Sequence, residues 1–480
     1  MSPDQTINGG PPKSAWGARW EGRGGWREVL VVSFPLILSH AAWSLQHFID
    51  RMFLAWYAPE AIAAAMPAGI LQFALMSIFL GTAGYASTFA AQYHGAGRPE
   101  SIGPSVWQGV HLSILGGLAI MATAPLAPGF FAWVGHPPLV REYETVYYAI
   151  LCWGAVPAIA TAPLGGYFSG QGRTWPVMVS IVLAMGVNII LDYGLIFGHW
   201  GLPRMGVAGA AVATNLASLT SCLFYLLWMA RREYRVRAPF FRRWRPDRDL
   251  MGRLLKFGFP AGMQFFVDIA GFAAFLLLVG RLGTEPLAAT TIALNINAIA
   301  FMPMLGFGIG ISVLVGQAQG EGRPDLAERA TWSGFHLTFA YVGSVALLYA
   351  FVPGPFVRPF AGDDPAAFEA VRVQAVVLLR FVAAYCLFDA LNIVFSAALK
   401  GAGDTLFITK VIAALSAGVL VVPTAAAVLW LGAGLYAVWA IATLYVCLLG
   451  TAFLLRFRHG RWKGMRVIEE APEIVDVPVH

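Results

Sequence analysis

The sequence predicts an all-α integral membrane protein of twelve transmembrane helices in two related halves of six. Three observations carry this. Hydrophobic residues make up 58% and charged residues 12% of the 480, against about 25% charged in a soluble domain, and mean hydropathy is +0.66. The phrase Gly95-Ala96-Gly97-Arg98-Pro99 returns 225 positions later as Gly320-Glu321-Gly322-Arg323-Pro324, each copy closing a long apolar run. A strongly basic stretch from Arg231 to Arg248 separates the two apolar regions.

Taken in order, residues 1–27 are polar and rich in Gly and Pro, with no apolar core or cleavage site of a secretory signal. They read as a disordered cytoplasmic tail. Six apolar runs follow within a first half spanning 28–230: 28–57, 61–92, 105–127, 143–167, 176–197 and 207–230. After a linker at 231–250, six more fill a second half spanning 251–455: 251–281, 287–319, 326–352, 366–399, 406–431 and 435–455. A tail at 456–480 is read as cytoplasmic. A span needs about 20 residues, so the chain holds twelve spans and no separate soluble domain. Several runs exceed 25 residues and must tilt, kink or project. Pro35, Pro67, Pro260 and Pro303 are candidate kink points, as are Gly306, Gly308 and Gly310.

The repeat extends beyond the opening phrase. Gln92 and Gln317 precede it at the same offset, Phe34-Pro35 matches Phe259-Pro260, and Gly170-Gln171-Gly172 matches Gly401-Ala402-Gly403 at an offset of 231. Two related membrane halves are a signature of secondary transporters, with a site between the repeats. The four cysteines lie inside apolar runs without metal-ligand spacing and read as buried thiols.

Charge sets orientation. Both termini and the basic linker on the cytoplasmic side put most Lys and Arg there, as the positive-inside rule requires. The net charge of +6 therefore speaks for membrane topology, and a nucleic-acid partner is excluded by the linker's position between membrane halves.

Ionisable groups inside lipid cost about 2.5–3.5 kcal/mol each on insertion scales, so those that occur point to function. Here they are Asp50, Asp192, Asp268 and Asp389, flanked by residues such as Ile49, Leu191, Val267 and Phe388. Each has an amide partner on its own helix face: Gln46, Asn188 and Gln264 lie four residues before the first three, and Asn392 three after the last. Amides alone serve as interhelical glue, but a buried carboxylate needs a proton, a cation or an arginine. Arg51 and Arg380 are the partial-depth cations, without an assignable partner. No HExxH, GxSxG, P-loop or CxxC is present. The chain reads as no enzyme, with no catalytic residue and no cofactor, and transport would draw on an ion gradient.

At this point a family resemblance emerges. Ile49-Asp50-Arg51-Met52-Phe53-Leu54-Ala55, Phe168-Ser169-Gly170-Gln171-Gly172-Arg173-Thr174, the run from Asn188 to Gly198, Gly206-Val207-Ala208-Gly209-Ala210, Phe301-Met302-Pro303 and Phe388-Asp389-Ala390-Leu391 resemble, in order and spacing, landmarks of the multidrug and toxic compound extrusion (MATE) family, in its bacterial NorM-like and DinF-like branches. The chain departs from the pattern at Arg51 and Ala55. The resemblance implies two bundles of six helices around a central cleft. It implies export of organic, cationic compounds in exchange for Na+ or H+ across the bacterial inner membrane, by a monomer. It maps the cation site, with a possible Na+, onto Asp50, Asn188, Asp192 and Thr214. A second-bundle acidic site falls on Asp268 and Asp389, with Gln264 beside them; Asp268 stands where glutamate is usual. A lipid or lipid-linked oligosaccharide flippase of the same two-bundle architecture is the alternative reading. It would want a basic cleft, whereas the intramembrane charges here are mainly acidic.

Overall fold

The computed structural model describes residues 19–237, 240–360 and 365–469, and these are helical throughout, with no strand among them. The spans are α1 (Trp26–Tyr57), α2 (Pro59–Gly84) continued by α3 (Ala86–Gly95), α4 (Ile102–Met121), the short α5 (Ala127–Val134), α6 (Pro138–Trp153) with α7 (Ala155–Gly170), α8 (Trp175–Phe197) and α9 (Val207–Met229). The second half has α10 (Arg248–Gly280), α11 (Thr284–Gly320), α12 (Pro324–Phe351), α13 (Pro365–Ala402), α14 (Thr405–Leu415), α15 (Val422–Leu429) and α16 (Leu435–His459). Among the described residues eleven helical stretches are long and apolar enough to cross a membrane, and the bent pair α6–α7, taken as one span, makes a twelfth.

Helices run on through Pro35, Pro67, Pro260 and Pro303, so none of these prolines ends its helix. The breaks lie elsewhere. α6 and α7 meet at 46°. There the Asn215 side chain from α9 occupies the space a Cβ on Gly154 would fill, and its amide donates to the Ile150 carbonyl at 2.6 Å. An inserted side chain that takes a freed carbonyl is a recognised cause of such a bend. The other break is a π-helical stretch, Ser416–Val421, between α14 and α15.

Two packing clusters show how the halves meet. One lies wholly in the second half, around Phe275, Leu379 and Trp439. Another mixes Val29 and Val32 of α1 with Phe307, Ile311 and Phe395 of the second half. Between the halves α1 packs on α11, α2 on α10 and α3 on α11. In lipid, helices associate through close packing of small residues, and glycines mark these crossings. A Cβ on Gly306 or Gly310 would strike Ile37 or Ser33 of α1, and one on Gly262 would strike Ile78 of α2.

The repeated phrase is where the two halves touch at the end bearing the termini. A Cβ on Gly95 would overlap the Gln317 carbonyl, and one on Gly320 would overlap the Gln92 carbonyl. The glutamines then cross over: Gln92 Nε2 donates to the Gly401 carbonyl at 3.0 Å, and Gln317 Nε2 to the Gly170 carbonyl at 2.8 Å. Three sets of sequence pairs thus converge in one pseudo-symmetric latch.

Disorder was expected over 1–27. Residues 1–18 lie outside the described residues, and 19–27 are ordered. A helical turn at 19–21 leads into α1. Arg23 pairs with Glu321 at 2.5 Å, and Ser333 Oγ donates to the Gly24 carbonyl at 2.7 Å. The reason is tertiary: α12 offers a surface to Gly24, whose positive φ of 69° lets the chain pass closely. The linker is also partly docked. Buried Phe240 stacks on Trp107 at 4.9 Å, and Asp247 caps α10 through the Asp249 and Leu250 amides. All four cysteines are free; Cys152, Cys222 and Cys386 are buried and Cys447 partly so.

Candidate functional site

Asp50, Asn188 and Asp192 come together. α1 packs on α8, and α8 on α9. Asp192 and Asn188 stack on one face of α8, four residues apart, and both are fully buried, as Asp50 nearly is. The Asp50 and Asp192 carboxyls lie close enough to act directly on each other. As two anions neither can donate, and Asp50 Oδ1, both Asp192 oxygens and both Asn188 amide atoms have no hydrogen-bond partner among the described residues.

Thr214 belongs to the same level of the bundle. Gly209 of α9 lies against the Leu195 backbone of α8. In that antiparallel register Asp192 stands within a turn of Thr214. The Thr214 hydroxyl donates to the Ala210 carbonyl at 3.0 Å and keeps its oxygen lone pairs free. Asp50, Asp192 and Asn188 thus bring together two carboxyls and an amide oxygen, all hard donors that suit Na+ or H+. No cluster of three or more His, Cys, Asp or Glu placed to hold a metal occurs among the described residues.

Two further neighbours stand beside the pair, and the first of them was missed in the sequence. The Tyr147 phenol of α6 lies within electrostatic reach of both Asp50 and Asp192; a lone tyrosine in an apolar run gives no signal. His47 Nδ1 stands 3.8 Å from Asp50 Oδ2, and its ring meets Trp43 edge-on at 4.5 Å. Here the three-residue spacing was visible, but its pairing was not.

Asp268 of α10 and Asp389 of α13 lie within electrostatic reach of each other, with Tyr445 of α16 close to both. Gln264 Nε2 donates to Asp268 Oδ2 at 3.3 Å, and Asn392 Nδ2 to Asp389 Oδ1 at 3.0 Å, so both helical spacings make the bonds they suggested. Asp268 is deep in the bundle yet keeps accessible surface, as a residue lining a cleft does. Lys400 was missed. It acts electrostatically on Asp268, and lies just past the end of the apolar run at 366–399. Arg51 and Arg380 are both exposed.

Comparisons with known proteins bear on the family and the fold. The sequence model of the MatE family matches residues 35–194 and 260–427. The chain is 31% identical to a probable multidrug resistance protein NorM of Bradyrhizobium diazoefficiens over 79% of this chain and 81% of that protein. It is 29% identical to the multidrug resistance protein PmpM of Pseudomonas aeruginosa, over 79% of each. Among solved structures, one described as the outward-facing conformation of a multidrug resistance MATE family transporter superposes with a TM-score of 0.83 at 19% identity, covering 93% of this chain and 98% of that one. A MOP superfamily transporter from Pyrococcus furiosus, described as having a binding pocket of reverse polarity that suggests a different function, superposes with a TM-score of 0.82 at 20% identity, covering 94% and 99%.

Proposed function

The chain belongs to the MatE family, and we propose that it is a secondary antiporter that exports organic, cationic compounds in exchange for Na+ or H+ by alternating access. The observation that carries this is the Asp50–Asp192 pair: two buried carboxyls close to each other, with Asp50 Oδ1 and both Asp192 oxygens lacking a hydrogen-bond partner among the described residues. Two such groups cannot both stay charged cheaply, so together they hold a proton or a cation. Asn188 and Thr214 complete an oxygen cage for it. The relatives' names support efflux of drugs.

Asp268 and Asp389 form the acidic wall of the second half, where a cationic compound would lodge. Aromatic faces such as Tyr445 add attraction for a flat cation. Acids outnumber the single lysine in this region, which argues against a flippase for anionic headgroups. With no ATP-binding motif in the sequence, the exchanged ion supplies the driving force. Ion and drug must then favour different states of one cleft.

The end bearing the termini and the linker is placed in the cytoplasm by its basic charge, in a bacterial inner membrane. The latch through Gln92 and Gln317 then closes the cytoplasmic side. Arg232→Cys, in the exposed linker, should resist a membrane-impermeant thiol reagent added to intact cells and react in inverted vesicles. Ready labelling in intact cells would reverse the topology.

Asp268→Asn and Asp389→Asn should each raise the concentration of cationic drug needed for half-maximal export. Losing a charged contact of about 1.5–3 kcal/mol corresponds to roughly tenfold or more. Export rates in cells expressing equal amounts of each protein check this; unaltered drug affinity in both variants would leave these residues a packing role. The test of the exchange reading itself is drug movement in proteoliposomes under an imposed Na+ or pH gradient.

A further inference from the structure

The chain that follows α16 does not trail away from the bundle. Its first anchor is on the second half. Trp462 is fully buried, stacks on Phe457 at 4.7 Å, and its carbonyl accepts from Gln319 Nε2 at 2.8 Å. Five residues on, the chain is seated against the first half. Val467 and Ile468 are buried in the cluster built by Tyr85, Phe89, Tyr93 and Tyr167, joined by Leu254 of α10. The Val467 amide donates to Gln92 Oε1 at 2.9 Å. That glutamine's other end donates to the Gly401 carbonyl at 3.0 Å, so the segment and the latch share one side chain.

Glu469 ends the described chain and gathers three partners. Arg98 Nη2 meets its carboxylate at 2.5 Å, Tyr93 donates its hydroxyl at 2.8 Å, and Arg253 of α10 forms a further ion pair. Arg98 and Tyr93 belong to the first half, Arg253 to the second. A segment rooted by Trp462 in one half and by Val467, Ile468 and Glu469 in the other cannot keep both seats while the halves separate at this end.

We propose that residues 465–469 form a strap that holds the terminal end of the transporter closed and must leave its seat on the first half each time that end opens. The strap rests on the alternating-access reading above, and adds a control element outside the ion and drug sites. Its release is one of the events that admit drug from the side of the termini, so its strength sets the balance between the two facing states. Burial alone would raise the Glu469 carboxyl, but its backbone amide, Arg253 and Tyr93 overcome this and hold it at about 2, below the ordinary 4.5. A carboxyl held low stabilises its seat at every pH above 4.5 and loses that contribution only as pH falls through about 2. A change of pH within the physiological range therefore does not by itself release the strap.

Spin labels at Glu100→Cys and Asp325→Cys, exposed positions on opposite halves at this end, read the separation directly by pulsed dipolar spectroscopy. The full-length protein should give mainly the short distance, unchanged between about pH 8 and pH 5. Termination after Gly464 should raise the long-distance fraction on the order of tenfold, equivalent to ~1.4 kcal/mol, and Glu469→Gln should raise it in the same direction by less. Glu469→Gln keeps the whole chain, so it answers the question even where the truncation fails to reach the membrane. Superimposable distributions for the full-length protein and Glu469→Gln, with or without the truncation, would overturn the strap. No ion gradient or drug is used, so a failed antiport reading leaves a widened distribution intact, and a failed strap leaves export intact.

Discussion

Asp50→Asn and Asp192→Asn are expected to abolish coupled export, with membrane levels and helix content unchanged. Either change leaves one carboxyl facing an amide, which removes the repulsion that makes the pair hold a proton or a cation. The amide can donate to the remaining carboxylate, so the site becomes a fixed hydrogen bond insensitive to ion binding. Cells expressing either variant should be as drug-sensitive as cells without the transporter, a loss of two orders of magnitude or more in export rate, or about 2.7 kcal/mol at 1.36 kcal/mol per tenfold. Thr214→Val tests the cage more gently. It removes one hydroxyl oxygen, and should weaken Na+ more than H+, because a proton between two carboxyls needs no third oxygen while Na+ needs several ligands. The comparison of Na+-driven with H+-driven export in Thr214→Val reports which ion the site uses.

The second large effect is expected at the latch. A Cβ at Gly95 or Gly320 would overlap the carbonyl of Gln317 or Gln92 in the opposite half. Backbone carbonyls inside helices cannot swing aside, so the halves must part. Overpacking of this kind costs about 1–3 kcal/mol, and the upper end corresponds to a shift of roughly a hundredfold away from the closed state. Gly320→Ala and Gly95→Ala should trap the end bearing the termini open. Reactivity of a cysteine at Ser312, against the Gly401 seat, should rise in inverted vesicles, and export should fall. By contrast Gly97, with open space around its Cβ position but a φ of 68°, should show only the local strain of a left-handed residue.

Much of this was legible in the chain because membrane segments advertise themselves. Apolar length, the basic linker and the repeated Gly-x-Gly-Arg-Pro phrase give the span number and the pairing of halves, and the helix ends fall within a few residues of the apolar limits. The Asp192–Asn188, Asp268–Gln264 and Asp389–Asn392 alignments follow from helical periodicity alone. What periodicity cannot supply is contact between distant helices. Tyr147 and Lys400 approach acids 45 and 132 positions away, and nothing local marks either. The four prolines lie inside continuous helices, where neighbours in a membrane bundle can satisfy the freed carbonyl, and the 46° break between α6 and α7 belongs to Gly154 and the distant Asn215. The ordered segment at 19–27 and the seated residues 465–469 depend on surfaces assembled by tertiary contact, to which the opposite half contributes in both cases.

The central claim, that ion binding at the Asp50–Asp192 pair drives export, is tested most directly by counterflow in proteoliposomes loaded with a fluorescent organic cation. With wild-type protein, an inward-directed Na+ or pH gradient, imposed separately, should accelerate loss of the dye from vesicles in the same orientation as the cell. With Asp50→Asn that acceleration should vanish under both gradients, while dye binding to detergent-purified protein stays within a few-fold. Gradient-driven dye loss at the wild-type rate in Asp50→Asn and in Asp192→Asn would contradict the account.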